Sequence, residues 1–218
     1  MIHRRNIIKV LSIAIILTLA VFTSGSLAAD KVFPDMKGHW AEKYVSMLVE
    51  KGGITGMPDG RFYPEDPITF PQFVKIIIAN KYGAIEPVNS HWASGYMQKA
   101  LDLDIIFSDE LGITRNISRF EAVRIVHNVL REIYGEEDAP DTTIVETFED
   151  YPGCKSCRAP YDQEIGQCYV KGIITGKPGE VGPIFDGDAG LTRAESSIII
   201  MKMIDPSLRV PVASPVEL

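Results

Sequence analysis

The sequence predicts an all-α protein built from three copies of one helix–loop–helix unit. Short stretches return along the chain: "GHWAEKYVSML" at 38–48 comes back as "SHWASGYMQKAL" at 90–101, and "GGITG" at 52–56 as "GIITG" at 172–176. Apolar residues recur at helical spacing after each return. "ITFPQF" at 68–73, "ISRFEA" at 117–122 and "LTRAES" at 191–196 open three apolar runs with the same helix-start chemistry. Repeats of this length mark an array whose units share a core, because one unit of about 50 residues buries too little surface alone.

Residues 1–29 read as a signal peptide. Arg4, Arg5 and Lys9 form a basic head, 10–22 is mostly apolar, and small residues lead to a cut after Ala28 or Ala29. The apolar run is short of the about 20 residues that a spanning helix needs. Unit 1 follows over 30–84. Trp40, Tyr44, Met47 and Leu48 share one helix face. Gly52-Gly53 ends that helix, 56–64 is turn chemistry, and Phe73, Ile76 and Ile77 carry a second helix. Unit 2 occupies 85–135, with Trp92, Tyr96, Ala100 and Leu101 on its first helix. Phe120, Val123, Val126, Val129, Leu130 and Ile133 lie on its second. An acidic, proline-containing stretch at 136–146 reads as a linker. Unit 3 spans 147–206, carries a cysteine-bearing insertion, and ends in an Ile198–Ile204 run apolar on nearly every side, which predicts a buried helix. Residues 207–218 read as a disordered tail.

Composition narrows the function. Without residues 1–29 the chain keeps 19 basic and 29 acidic residues, a net charge of −10. That excludes the basic footprint of a nucleic-acid binder and adsorption to anionic lipid. The predicted mature chain has no second long apolar segment, so no transmembrane span is expected. Cys154, Cys157 and Cys168 suit a disulfide in an exported protein, with Cys168 pairing with Cys154 or Cys157 and one thiol left over. A zinc site would want a fourth ligand. No His-Glu-x-x-His or Gly-x-Ser-x-Gly motif points to catalysis, so no enzyme and no cofactor is expected. Asp186-Gly187-Asp188 superficially resembles a calcium loop, but its twelfth position is Ser197 instead of glutamate, so no metal site is expected.

The helix starts hold two kinds of residue. Thr192 with Glu195, Ser118 with Glu121 and Thr69 with Gln72 fit a capping box, in which each side chain satisfies the other's backbone amide. Arg193 and Arg119 are not required by a cap. A cation at the first helical position opposes the helix dipole by about 0.3–1 kcal/mol. Such an arginine needs a partner, either an internal carboxylate or an anionic ligand. Unit 1 has Phe70 there.

Together, Phe33-Pro34-Asp35, His39-Trp40-Ala41, Gly53-Ile54-Thr55-Gly56, Pro58-Asp59-Gly60-Arg61-Phe62 and Thr192-Arg193-Ala194-Glu195 resemble S-layer homology modules, in three copies over nearly the whole mature chain. The resemblance implies an all-α fold of three repeats packed as a pseudo-threefold unit. It also implies non-covalent anchoring of an exported, cell-surface protein to secondary cell wall polysaccharide, commonly pyruvylated, in grooves between repeats. The ketal-linked pyruvate is a carboxylate and would give the arginine its partner. Carried over, the site residues are Arg193 and Arg119, Trp40 and Trp92 as the aromatic, Tyr161 as its unit 3 counterpart, and Asp35 and Asp150. The tryptophans suit either a sugar face or the core. The aspartates suit either the groove or a turn. Unit 2 lacks the aspartate motif and the clear Gly-Ile-x-Gly and Pro-Asp-Gly pieces, so fewer working sites than repeats are expected. A partner could be polysaccharide or a peptidoglycan-linked glycan. The alternative is a surface-layer assembly protein that works through contacts with other surface-layer proteins and binds no glycan.

Overall fold

The computed structural model describes residues 33–151 and 162–212. Six helices carry these residues: α1 (Glu42–Glu50), α2 (Phe70–Tyr82), α3 (Ser94–Asp102), α4 (Arg119–Glu132), α5 (Asp162–Val170) and α6 (Arg193–Ile204). Each short helix precedes a longer one, and the pattern recurs three times. The only ladder among the described residues pairs β1 (Lys177–Pro178) with β2 (Pro183–Ile184), antiparallel, inside the third loop. The fold is all-α apart from that small hairpin.

The units interlock instead of lying in a row. The first helix of each unit packs on the second helix of another: α3 on α2, α5 on α4, and α1 on α6. The last pairing joins the first unit to the third, so the array closes on itself. At its centre the segments before α2, α4 and α6 meet. Ile68 N–H donates to Leu191 O (3.0 Å), Leu191 N–H to Ile117 O (3.4 Å), and Ile117 N–H to Ile68 O (3.1 Å). This cyclic set of three bonds satisfies backbone groups of residues that are themselves almost wholly buried. Single bridges Pro67–Thr192, Thr69–Asn116 and Ser118–Gly190 extend the ring. The arrangement is pseudo-threefold, with Ile68, Ile117 and Leu191 at equivalent positions.

Capping fixes where the long helices begin. Thr192 Oγ1 accepts from Glu195 N (3.1 Å) while Glu195 Oε2 accepts from Thr192 N (2.9 Å). Ser118 and Glu121 exchange the same pair at 3.3 and 2.9 Å. At the third start, Gln72 Oε1 accepts from Thr69 N at 3.0 Å. Helix α6 lies between α1 and α4, which accounts for its apolar residues on several sides.

The linker and tail differ from expectation. Residues 136–146 are strapped to the body: Glu136 pairs with Lys171 (2.9 Å) and Arg209 (2.8 Å), and His127 with Asp138 (2.8 Å). Gln167 exchanges two hydrogen bonds with the backbone of Ala139, and Val145 is buried. Glu136 is the partner of two part-buried cations and Asp138 of a buried histidine, so their charge does not mark a solvated connector. Residues 207–212 of the expected tail are also held. Arg209 donates to the carbonyls of Lys202 and Met203 at the end of α6, and Val212 N–H donates to Val170 O (3.1 Å). The tail crosses Gly172, where a Cβ would collide with the Val210 carbonyl and where φ is +70°. Both features require glycine.

Candidate functional site

Arg193 and Arg119 occupy the first positions of α6 and α4, and both are more than nine-tenths buried. Their backbone amides donate to Asp66 O and Ala189 O. Each guanidinium reaches the loop of another unit. Arg193 Nε donates to Phe62 O at 2.8 Å and the guanidinium lies 4.6 Å from the Phe62 ring centre. Arg119 Nη2 donates to Thr175 O at 2.6 Å and lies 5.2 Å from the Phe185 ring centre. Carbonyl and ring together stabilise a desolvated cation, but neither neutralises it.

Two aspartates hold those rings in place. Asp35 accepts from Phe62 N (3.0 Å) and Tyr63 N (2.6 Å). Asp150 accepts from Phe185 N and Asp186 N, both at 2.8 Å. Tyr63 and Asp186 each have φ of +58°, a left-handed conformation disfavoured for side-chain-bearing residues. The carboxylates therefore clamp a strained turn behind each arginine. Burial pushes the Asp35 carboxyl up, but the amides of Phe62 and Tyr63 outweigh it and hold the group below the usual carboxylate range. Asp35 and Asp150 thus position the arginines through the loop; the structure shows their oxygens engaged by backbone amides.

Among the described residues no carboxylate forms an ion pair with Arg119 or Arg193; the pairs that do form involve other cations. Asp66 and Asp35 act on Arg193, and Glu195 and Asp186 on Arg119, only through space. Burial draws both guanidinium groups below their ordinary pKa, a shift these distant charges only partly offset.

Around Arg119 the units leave a cavity of about 210 Å³. Trp40 comes from unit 1, Arg119 from unit 2, and Thr175, Lys177, Glu195 and Lys202 from unit 3. Trp40 precedes α1 and is 58% exposed, so it does not belong to the core stripe. The His39 ring beside it takes the Ala41 amide (3.1 Å) and so starts the helix in its place. Lys177 is paired with Asp186 and Glu195 is engaged by Thr192. Lys202 is half-buried, its ammonium drawn below its ordinary pKa by burial alone. The cavity thus presents two cations without a carboxylate partner and one open aromatic face. That combination suits an anionic ligand with an apolar ring face.

The remaining candidates are placed as follows. Trp92 is similarly open, at 49%, with His91 beside it. The Arg193 surroundings contain Lys75, a half-buried ammonium drawn down by burial and by Arg193. Tyr161, Cys154 and Cys157 lie outside the described residues. Cys168 is a free thiol among the described residues, fully buried against Val123 O (3.6 Å), and its expected disulfide partners lie outside those residues. Burial raises its pKa strongly, and its apolar setting explains why it serves packing. Sequence reasoning missed Lys202, Lys75, Thr175, Phe62 and Phe185 as site residues, although Thr175 lies inside the returning "GIITG" and Phe62 inside the Pro58–Phe62 motif.

Parts of this chain are similar to known proteins. The family model described as S-layer homology domain matches residues 32–74. An S-layer protein of Bacillus licheniformis is 27% identical over 183 residues, 79% of this chain and 20% of that protein. S-layer protein EA1 of Bacillus anthracis is 29% identical over 61% of this chain and 16% of its own length. A cellulosome-anchoring protein of Acetivibrio thermocellus is 46% identical over 43 residues, 20% of this chain and 10% of that protein. The chain thus spans about a fifth or less of the length of these relatives. No helix among the described residues is long and apolar enough to cross a membrane.

Proposed function

We propose, from the match of residues 32–74 to the S-layer homology domain model, that the chain anchors at the cell surface by binding cell wall polysaccharide. In this reading the second and third units are further copies of the same module, and an exported chain carries them to the wall. The S-layer and cellulosome-anchoring relatives support surface anchoring. The observation that carries the finer reading is the Arg119 cavity, with its buried, carboxylate-free arginine, unpaired Lys202 and open Trp40. A sugar bearing a ketal-linked pyruvate supplies the missing carboxylate to Arg119 and Lys202 and an apolar ring face to Trp40. The Arg193 junction, with Lys75, repeats the cation pair. The function is binding, not catalysis.

Co-sedimentation with purified wall polysaccharide tests this. The protein should sediment with the pyruvylated polymer and stay in solution with the same polymer after pyruvyl removal. Equal sedimentation with both polymers would remove the arginines from recognition. Sedimentation with neither would favour assembly through protein contacts.

A further inference from the structure

The three junctions can be compared position by position. Capping aligns Phe70, Arg119 and Arg193 as first helical residues, and each donates its amide to a carbonyl of another unit. Five residues on, the aligned positions are Lys75, Arg124 and Ile198. Two of these demonstrably face a junction. Ile198 lines the Arg119 cavity, and Lys75 lies in the field of Arg193. Arg124 therefore faces the third junction, where Phe70 stands at the arginine position.

That junction already holds an anion. Arg124 Nη2 donates to Glu110 Oε1 at 2.5 Å, with side chains only 4% and 12% exposed. Glu110 comes from the unit 2 loop, and its other oxygen accepts from Phe107 N at 2.8 Å. The Arg124 guanidinium lies 4.5 Å from the Phe107 ring centre, and Phe107 is 56% exposed. Like the other two junctions, it has a buried guanidinium with a phenylalanine against it, although here the phenylalanine, Phe107, is itself the exposed ring. Arg124 Nε and Nη1 are buried without a partner, so Glu110 satisfies only part of the guanidinium. The difference from the other two junctions is the internal carboxylate.

We propose that the third junction is an anion site closed from within, Glu110 taking the place that a ligand carboxylate takes at the other two. This rests on the proposed carboxylate-sugar binding. It makes Glu110 the residue that limits the chain to two equivalents of ligand, and it makes Glu110→Gln a gain-of-binding variant.

The experiment is calorimetric titration of the full chain with a methyl glycoside bearing a pyruvate ketal. The wild type should take two equivalents and Glu110→Gln three. In parallel, the Arg124 Nε–H resonance is followed during titration with sodium pyruvate; it should shift in the variant and stay fixed in the wild type. Two equivalents in both proteins with an unmoved Arg124 resonance overturns the proposal and leaves the parent reading intact. No binding of the glycoside by the wild type, with a shifting Arg124 resonance in the variant, overturns the parent reading and supports the site. If circular dichroism shows Glu110→Gln unfolded, the double variant Glu110→Gln, Arg124→Lys, which installs the residue type of Lys75, is read by its calorimetric stoichiometry, three equivalents supporting the proposal and two overturning it. Failure of both to fold overturns the proposal, because the pair would then be a packing requirement.

Discussion

The Arg119 and Arg124 junctions hold the same kind of buried cation and treat it in opposite ways. Arg119 faces carbonyl, ring and cavity, with carboxylates acting only from a distance. Arg124 is clamped to Glu110. A buried charge without a counter-ion is costly, and breaking a buried pair on one side creates one. The difference teaches that the first junction carries destabilising charge that a ligand can relieve, whereas the second has spent its charge on the fold.

The largest effect that sharpens this contrast is Arg124→Met. It strands the Glu110 carboxylate, and loss of one partner of a buried pair destabilises by about 3–5 kcal/mol, measurable by urea unfolding. Arg119→Met should do the reverse. Unfolding free energy should stay within about 1 kcal/mol of wild type, since an unpaired buried charge is replaced by an apolar chain. Binding of pyruvylated polymer should fall by roughly thirtyfold, or about 2 kcal/mol, as the charged contact is lost. If Arg119→Met unfolds like Arg124→Met, the two junctions are alike and the contrast fails. Asp150→Asn loosens the turn behind Arg119 and should cost about 1–2 kcal/mol of stability with weaker binding. Asp35→Asn should do the same behind Arg193. Ser118→Ala removes a cap at the α4 start and should cost about 1 kcal/mol, with binding nearly unchanged because the ring at Ile117 still places the helix.

Acid is the mildest probe. Glu121, Glu136 and Asp138 are pushed up by burial, but their cationic and hydrogen-bonding partners outweigh this and hold them below the usual carboxylate range. Their stabilising contribution is therefore complete above the unfolded carboxylate pKa, about 4. It is lost as pH falls through the lower folded values. Tm should be flat from neutrality to about pH 5 and drop below about pH 4.

The helix starts were the legible part of this fold. Ser118-Glu121 and Thr192-Glu195 satisfy each other over three residues, so local sequence contains the whole interaction. Trp40 was ambiguous because its spacing to Tyr44 suits a helix face, yet the His39 ring caps the chain and the helix begins only at Glu42. Glu136 misled because its partner Arg209 lies 73 residues away; locally, clustered carboxylates read as solvated. Lys202 and Lys75 were invisible for the same reason, since only the closing of α6 and α2 against other units makes them neighbours of the arginines.

The ring at Ile68, Ile117 and Leu191 implies that no unit is first. Because α1 docks on α6, a cyclically permuted chain that starts at α3 and joins Val212 to Phe33 through a flexible linker should rebuild the same body. Deleting any one unit should instead strand two helix faces and abolish folding. Such a body should melt as one transition, its three junctions appearing and vanishing together.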